Sequence, residues 1–335
     1  MKMAFPIDVV YKWVDGNDVK WQKQKKYWFE KEFNKKNTYR GAGAKERFRD
    51  NNELMYSLRS VAENAPWVNH IYIVTGFNQI PKWLNTKHPK ITIVPHDVIF
   101  PKDVLPVFSS TSIDMCLSNI PGLSEHFLIA DDDTIFNKKI KPSFFYDKHG
   151  RARVLYNKHR DYNRDIDKWK SSVDEFTKTL INAAVLVKKA CGKTFYIGRP
   201  SHGIDPYIKS SMIECRNNEK IKPVLDNLIK LKFRSEKCVS RWIFNIYDYV
   251  NNRATMHHCH PYKSNHITDF IYNTLHFYGV RHSPLFCEDA KVSKKSVKHS
   301  VIVCINDSNK SGKDVLEHNA SFLKNRFPNK SEFEL

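Results

Sequence analysis

Apolar runs of about four to eight residues alternate along this chain with longer segments whose apolar positions recur at helical spacing. Strands are predicted at residues 7–14, 70–75, 91–94 and 127–130. Helices are predicted at residues 19–37, 50–64 and 108–117, the second of them capped by Asp50 or Asn51. Because β–α–β alternation favours parallel strands, the chain is predicted to have an α/β fold, with a Rossmann-like, mostly parallel sheet and helices on both faces.

The second half of the chain has a more helical pattern. A helix is predicted at 172–189, a longer and mostly helical stretch at 221–249, and a late strand at 301–305. No internal repeat or low-complexity linker divides the sequence, so a single domain over residues 1–335 is predicted. Its parts are a Rossmann-like part at 1–145, a helical insertion or subdomain at 172–250, and a C-terminal strand and tail at 300–335. The last part is expected to complete a functional site with the first.

The composition shows a large excess of positive charge. Lysine and arginine number 55 against 36 acidic residues, a formal net charge of +19, so the partners are expected to be anionic. No helix-turn-helix, zinc-finger or RNA-recognition pattern is present, so nucleic acid is not expected among them. An anionic membrane leaflet and acidic metabolites or polymers are the partners that fit this charge.

Three features of the sequence predict a cytoplasmic protein. No apolar stretch approaches the roughly 20 residues that span a bilayer, and the first residues lack the pattern of a signal peptide. The seven cysteines are odd in number and scattered, with no CxxC pair. This usage favours reduced thiols over a disulfide framework.

Three consecutive acids, Asp131, Asp132 and Asp133, follow the strand predicted at 127–130. Open α/β sheets bind ligands at the carboxyl ends of their strands. Since adjacent carboxylates repel one another, a divalent cation with oxygen ligands is expected among them. Asp132 and Asp133 suit that metal role, with Mg²⁺ or Mn²⁺ as cofactor, and Asp131 is expected only to cap the loop. A solvated turn after the strand is the alternative.

Other polar residues near the strand ends allow two interpretations each. Asp15 and Asp18 flank Gly16 after the first strand, where a nucleotide could approach closely or where the chain simply turns. Glu53 lies one helical turn from Arg49, so it is predicted either to form a salt bridge or to act in catalysis or acceptor binding.

Two residues of the second half are candidates for chemistry on a phosphate. His202 lies in a predicted loop, where a histidine can act as a base near neutral pH. Arg234 is the best candidate for a bidentate contact with a phosphate group.

Many segments of the chain, in order, resemble the conserved regions of the Stealth family of hexose-1-phosphate transferases, which includes bacterial capsule phosphotransferases and the catalytic part of the lysosomal-enzyme GlcNAc-1-phosphotransferase. The segments are IDVVYKWVDGND at 7–18, RFRDNNELMYSLRS at 47–60, APWV at 65–68, IYIVT at 71–75, ITIVPH at 91–96, FLIADDDTIF at 127–136, RPSH at 199–202, LKFR at 231–234, CINDS at 304–308 and FPNKSEFEL at 327–335. The segment at 47–60 is the most specific and the one at 199–202 the loosest. The family often has Asn where this chain has Asp131.

The resemblance implies a single Stealth-type catalytic domain that moves a sugar 1-phosphate from a UDP-sugar to a hydroxyl of an acceptor sugar, with release of UMP. The product would be a phosphodiester link in a capsular or cell-surface phosphoglycan. The implied partners are the UDP-sugar donor and an anionic glycan or phosphoglycan acceptor. With the positive charge, the resemblance also implies a cytoplasmic location with peripheral contact to the inner membrane face or to capsule assembly machinery.

The resemblance also implies roles for individual residues, because phosphoryl transfer depends on positioning and on neutralising charge. The residues expected to be catalytic are Glu53, Asp132, His202 and Arg234, and the residues expected to hold the metal are Asp132 and Asp133. The residues expected to bind substrates are Asp15, Asp18, Arg47, Arg49, Asp205, Asn306 and Asp307.

Two further functions fit the sequence. A metal-dependent glycosyltransferase would also place an Asp pair at a strand end beside a UDP-sugar, but it would form a glycosidic bond and release UDP. A non-catalytic basic scaffold on an anionic glycan or membrane would explain the charge alone, and replacement of Asp132 would barely affect it. The nucleotide that is released separates the first of these from a sugar-1-phosphate transferase.

Overall fold

The structure is a computed structural model that describes residues 3–33, 48–157, 173–195, 198–258, 285–298, 300–308 and 310–335. The strands are β1 (Ile7–Trp13), β2 (Ile71–Thr75), β3 (Ile91–Pro95), β4 (His126–Asp131), β5 (Thr134–Phe136), β6 (Ala152–Asn157), β7 (Arg199–Pro200), β8 (Asp205–Ile208), β9 (Ala254–His258), β10 (Leu285–Glu288) and β11 (Ile302–Asn306). The helices are α1 (Val19–Glu32), α2 (Glu53–Asn64), α3 (His96–Ile99), α4 (Ser110–Asp114), α5 (Glu175–Cys191), α6 (Lys209–Asn217), α7 (Lys222–Leu228), α8 (Trp242–Val250), α9 (Lys294–Val297) and α10 (Lys313–Arg326).

A five-stranded sheet in the order β3-β2-β1-β4-β8 forms the centre of the fold. Its first four strands are parallel, which confirms the predicted α/β class, and β8 is antiparallel to β4. The chain proceeds from β1 outward to β3 and then returns to place β4 on the other side of β1. This reversal puts the topological switch point, where open α/β sheets bind their ligands, between β1 and β4.

A smaller sheet, in the order β10-β11-β5, brings a second strand end to the same place. Only Asp132 and Asp133 separate β4 from β5, and β5 runs antiparallel to the late strand β11. The backbone N–H of Ile305 donates to the carbonyl of Asp133 at 2.9 Å. The end of β11 therefore lies directly beside the acids that follow β4.

The helices lie where the sequence pattern predicts them, but several of them start later, are shorter or are interrupted. Helix α2 begins at Glu53 rather than at Asp50 or Asn51, and its N-cap Asn52 has a φ of 65° and no side-chain capping bond. The predicted helix at 108–117 is shortened to α4, followed by a 3₁₀ turn at Leu117–Asn119. The helical stretch predicted at 221–249 is broken between α7 and α8. The break matters because it contains Arg234 and Arg241.

The main hydrophobic core is continuous from the central sheet to the helices of the second half. It includes Val9 and Ile129 of the sheet and Leu180 and Phe244 of α5 and α8, all inaccessible to solvent or nearly so. Six of the seven cysteines lie in the described residues, and all six are free thiols. Among the helices in the described ranges, none is both long enough and apolar enough to cross a membrane.

Candidate functional site

The carboxyl ends of β1, β4 and β11 meet the turn that precedes α2. Lys12 near the end of β1 is paired in register with Asp131 at the end of β4. Gly16, after β1, packs so closely on the backbone of Phe48 that a Cβ there would lie 1.9 Å from the Phe48 carbonyl oxygen. The turn is joined to the end of β11 by the ion pair of Arg49 and Asp307, at 2.8 Å.

Asp131 belongs to a buried group of charges that we call the Arg241 cluster: Lys12, Asp114, Asp131, Asp205 and Arg241. Arg241 reaches both oxygens of Asp131, at 3.1 and 3.0 Å. Lys12 Nζ lies 2.6 Å from Asp114 and 3.1 Å from Asp131. Burial alone would raise the pKa of Asp131, but the positive charges of Arg241 and Lys12 hold it well below its usual range. The expectation that Asp131 only caps the loop is therefore wrong, because this carboxylate is ionised and paired.

Asp205 lies at the edge of the same cluster. It begins β8 opposite Ile129, is 5 % exposed, and its Oδ2 lies 3.5 Å from Arg241 Nη2. Burial raises its pKa to about 7, although Arg241 opposes the shift. Two cations, Lys12 and Arg241, thus face three carboxylates. The pKa of Asp205 is raised, whereas that of Asp131 is lowered.

Asp132 and Asp133 lie in a second group, which we call the acidic cluster: Asp50, Glu53, Asp132 and Asp133. Burial and then the charges of Asp133 and Glu53 raise the pKa of Asp132 well above its usual range. Burial likewise raises the pKa of Asp133 to about 7, with the charge of Asp131 adding to the effect. Both side chains are only partly covered from solvent, so a cation can reach the cluster.

The donor set of the acidic cluster fits a divalent cation. Asp133 Oδ2 accepts from the Cys304 thiol at 3.2 Å, whereas its Oδ1 is buried without a hydrogen-bond partner. No three His, Cys, Asp or Glu side chains of the described ranges are grouped closely enough to hold a metal by themselves. Mg²⁺ commonly uses one or two carboxylates and takes its other ligands from water and substrate phosphates. Two acids with one unsatisfied oxygen match that requirement.

Glu53 is held by the turn before its own helix. Its two oxygens accept from the backbone N–H and the side-chain amide of Asn51, each at 2.6 Å. Burial raises its pKa, and these hydrogen bonds oppose the rise. The predicted salt bridge with Arg49 is not formed, because Arg49 pairs with Asp307 instead.

The end of β11 lies beside Glu53. Asn51, Glu53, Asn306 and Asp307 line one small cleft. Asn306 donates to Glu288 at 3.3 Å. Burial raises the pKa of Asp307, against the charge of Arg49. The structure therefore brings Arg49 and Glu53 together with Asn306 and Asp307, which lie more than 250 residues later in the sequence.

His202 and Arg234 lie near the Arg241 cluster, since the charges of Asp131, Arg241 and Arg234 all act on the imidazole of His202. The imidazole of His202 is exposed. Its pKa is lowered by the protein packed around the ring and by the charges of Arg241, Arg199 and Arg234, while Asp131 opposes the shift. The guanidinium of Arg234 donates to the hydroxyl of Ser110, at the start of α4. A neutral, accessible imidazole next to guanidinium groups can accept a proton from a substrate hydroxyl.

Two of the predicted substrate-binding acids have structural partners. Asp18 Oδ1 accepts from the backbone N–H of Trp21 at 2.6 Å and so caps α1. Asp15 accepts from the backbone N–H of Asn17 at 2.8 Å, and its own backbone is held by Gln79. Asp15 lies close enough to Asp50 to raise that residue's pKa. Arg47 lies outside the described residues.

The sequence interpretation missed Lys12, Asp114 and Arg241. Lys12 lies within the buried run of β1, and Arg241 directly precedes the apolar run of α8. A charged side chain next to buried apolar positions requires a partner, because an unpaired buried charge is costly. That requirement was the available signal for Lys12 and Arg241.

Two family models match the chain: Stealth protein CR1, conserved region 1, over residues 5–28, and Stealth protein CR2, conserved region 2, over residues 47–154. The second match covers α2, the strands β2 to β5 and all three aspartates after β4.

Several relatives are capsule or exopolysaccharide enzymes. The capsular polysaccharide phosphotransferase fcs1 of Haemophilus influenzae is 35% identical over 239 residues, which are 70% of this chain and 63% of the relative. The capsular polysaccharide phosphotransferase WcwK of Streptococcus pneumoniae is 29% identical over 359 residues, 99% of this chain and 100% of the relative. The exopolysaccharide phosphotransferase cps2G of Lactiplantibacillus plantarum is 42% identical over 147 residues, 44% of this chain and 41% of the relative. The chain thus spans less than two thirds of the length of fcs1 and cps2G.

Solved structures show only a weak likeness. The galactosyltransferase LgtC in complex with donor and acceptor sugar analogues gives a TM-score of 0.42 with 10% identity, covering 96% of this chain and 95% of that one. The bifunctional glycosyltransferase WbbM gives 0.45 with 9% identity, covering 98% and 50%.

Proposed function

Because this chain belongs to the Stealth family, we propose that it transfers a sugar 1-phosphate from a UDP-sugar to a hydroxyl of an acceptor sugar, with release of UMP. The product would be a phosphodiester link in a capsular or cell-surface phosphoglycan. The relatives named as capsular and exopolysaccharide phosphotransferases support this proposal. The structural observation that carries it is the end of β4, where Asp131 pairs with Arg241 and the next two residues, Asp132 and Asp133, belong to the acidic cluster.

In the proposed reaction, the acceptor hydroxyl oxygen attacks the phosphorus that bears the sugar. The bond from that phosphorus to the oxygen bridging to the other phosphate breaks, and UMP leaves with the bond's electron pair. His202 takes the proton of the hydroxyl, and Glu53 is the second candidate for this base. Arg234 stabilises the negative charge that grows on the phosphoryl oxygens.

The acidic cluster has the complementary task of holding a cation. Asp132 and Asp133 would bind Mg²⁺ or Mn²⁺, which neutralises the charge of a diphosphate when it is bound. Glu53 is fixed by Asn51 at the edge of the cleft that Asn306 and Asp307 line. That cleft is the proposed place for part of the substrates, together with Arg49, Asp205 and the turn of Asp15 and Asp18. Arg47 remains a predicted binding residue.

The charge of the chain suits an anionic acceptor. Lys20, Lys23, Lys26 and Lys31 are exposed on α1, and this helix starts at Asp18, beside the end of β1. We propose that this surface contacts a phosphoglycan, the inner face of the membrane or the capsule assembly machinery.

The identity of the released nucleotide tests the proposal. The protein is incubated with a panel of UDP-sugars, an acceptor oligosaccharide and Mg²⁺, and the nucleotides are separated by ion-exchange chromatography. UMP release together with a phosphodiester resonance in the phosphorus NMR spectrum is expected. UDP with a glycosidic product would assign a glycosyltransferase instead, and release of neither nucleotide would favour a non-catalytic scaffold.

Two variants make the assay specific to the site. Asp132→Asn should abolish nucleotide release, because it removes one of the two proposed metal carboxylates. Asp226→Asn is the matched control, since Asp226 is a half-buried aspartate on α7 whose side chain pairs with Lys222 one helical turn earlier.

A further inference from the structure

Two exposed phenylalanines lie beside His202. The ring of Phe286, on β10, lies 4.5 Å from the imidazole, and the ring of Phe176, in the first turn of α5, lies 6.3 Å from it. Phe286 is 41% exposed and Phe176 is 37% exposed. We call Phe176, His202 and Phe286 the aromatic patch.

Packing within the fold does not explain this arrangement. The two phenylalanines come from segments 110 residues apart, yet both leave more than a third of their surface in solvent and both contact the same polar ring. Isolated exposed apolar side chains are ordinary, whereas several gathered at one polar site mark a place where a ligand binds. The guanidinium of Arg199 lies 5.2 Å from the Phe176 ring, so the patch also carries positive charge.

We propose that the aromatic patch is the subsite for the acceptor sugar ring. The inference rests on the proposed function, in which His202 takes the proton of the acceptor hydroxyl. A base must come within about 2.6–3.2 Å of the group that it deprotonates. Because Phe286 packs against the imidazole, the pyranose ring that presents this hydroxyl to His202 contacts Phe286 or Phe176. The apolar C–H face of a pyranose is complementary to the face of an aromatic ring.

The charges that act on His202 differ from those that act on Asp132. His202 senses the charges of Asp131 and of the arginines, whereas Asp132 senses Asp133, Glu53, Asp131 and Asp50. The donor diphosphate belongs with the cation held by Asp132 and Asp133. The aromatic patch contains neither aspartate, so we assign it to the other substrate.

The experiment measures binding and does not depend on turnover. Saturation-transfer difference NMR is recorded on the full chain with the methyl α-glycosides of glucose, galactose and N-acetylglucosamine, and separately with UMP. With wild type, ring protons of at least one glycoside should receive saturation. Phe286→Ala and Phe176→Ala should each reduce that signal about fivefold or more, whereas the UMP signal should persist.

Matched variants show whether an aromatic face is required. Phe286→Tyr keeps the ring and should keep the glycoside signal, and Phe286→Leu keeps apolar bulk without an aromatic face and should lose it. Ile213→Ala is the control, because Ile213 is equally exposed, at 40%, on α6. Circular dichroism spectra of the variants should match the wild type, since the replaced side chains are at the surface.

Three outcomes would overturn the inference: no glycoside signal with wild type, glycoside signals unchanged in both alanine variants, or loss of the UMP signal instead. The last would assign the patch to the nucleotide. These outcomes are independent of the nucleotide assay. A protein that releases UDP but loses glycoside binding in Phe286→Ala would refute the proposed function and retain the sugar subsite.

Discussion

Arg241 and Asp131 form a two-pronged ion pair across 110 residues of sequence, with nitrogen–oxygen distances of 3.1 and 3.0 Å. Arg241 also lies 3.5 Å from Asp205 and 4.0 Å from Asp114. One guanidinium thus contacts three largely covered carboxylates, two of which also pair with Lys12. This arrangement makes its removal much more costly than the removal of a surface arginine.

Replacement of Arg241 by leucine should lower the free energy of unfolding by about 3 kcal/mol or more, because it leaves buried carboxylates without their counter-charge. Urea denaturation monitored by tryptophan fluorescence measures this change. Lys313→Leu is the control, since its pair with Glu317 is exposed and should be worth about 0–1 kcal/mol. Equal losses in the two variants would contradict the importance of the Arg241 cluster.

Asp248 should make the stability of the protein depend on pH. This residue of α8 is fully buried, accepts from Ser211 and has Arg253 Nε 3.5 Å away, while its Oδ2 has no partner. Burial raises its pKa from 3.8 to about 7. Between these two values the unfolded chain releases the proton and the folded chain keeps it. The contribution to stability is therefore complete below about pH 4 and is lost as the pH rises through about 7.

Asp248→Asn should remove that dependence. Relative to the variant, the wild type should lose about 4 kcal/mol of unfolding free energy between pH 4 and pH 8, from a shift of about three pKa units at 1.36 kcal/mol each. Unfolding curves at four pH values in this range provide the measurement. A wild-type-minus-variant difference that stays constant with pH would rule out Asp248 as the titrating group.

Divalent cations should stabilise the folded protein through the acidic cluster. Addition of Mn²⁺ or Mg²⁺ should raise the melting temperature, because a ligand that binds only the folded state stabilises it by mass action. Asp132→Asn and Asp133→Asn should abolish this shift, and both should melt higher than metal-free wild type, since each relieves repulsion between carboxylates. Asp226→Asn should respond to Mn²⁺ as wild type does. Full transferase activity in excess EDTA would argue against any metal requirement.

His202→Ala and Arg234→Ala should remain folded and lose about 10²–10³ in turnover, the usual cost of one positioned electrostatic or proton-transfer contact. Because the pKa of His202 is lowered, the base stays neutral below pH 6.5, the value of an unperturbed imidazole. The acid limb of the kcat/KM profile should therefore lie below pH 6.5. Near-normal turnover of His202→Ala would transfer the role of base to Glu53.

Salt should weaken binding of a long anionic acceptor more than binding of a short neutral one. Attraction between exposed charges is screened over about 10 Å at 0.1 M ionic strength. Titration of both acceptors between 0.05 and 0.5 M NaCl, conditions chosen to bracket about 0.1 M, measures the effect. A Lys23→Glu, Lys26→Glu double variant of α1 should reduce the salt dependence for the long acceptor. Identical salt dependence for the two acceptors would exclude a contribution of the net charge.

The elements that could be predicted from the sequence are those that depend on local pattern. The run that ends at Asp131 has the composition of a buried strand, and β4 ends at that residue. The rule that ligands meet strand ends marked Asp132 and Asp133 as candidate site residues without knowledge of the tertiary fold. The late run at 301–305 was likewise identified as a strand, but its pairing with β5 rather than with the main sheet is a long-range choice that no local pattern encodes.

The charge pairing within the site was not predictable from spacing. Arg49 lies at i, i+4 from Glu53, yet it pairs with Asp307, because Asn52 adopts a left-handed conformation and α2 starts only at Glu53. Arg241 lies within the stretch at 221–249 that was predicted to be mostly helical. The break before α8 places it opposite Asp131. Both errors come from turns whose geometry depends on tertiary contacts.

The three aspartates at the end of β4 are not interchangeable. Ile129 is fixed opposite Asp205, so the distance along the chain from that pair determines which acid faces Arg241 and which acids remain for a cation. Deletion of one residue between 127 and 130 would preserve an acid-rich strand end in any alignment, but it would place Asp132 against the guanidinium and leave Asp133 as the one aspartate of the triplet in the acidic cluster. For anyone who grafts this strand end into another scaffold, spacing is the quantity to conserve, ahead of the number of acids.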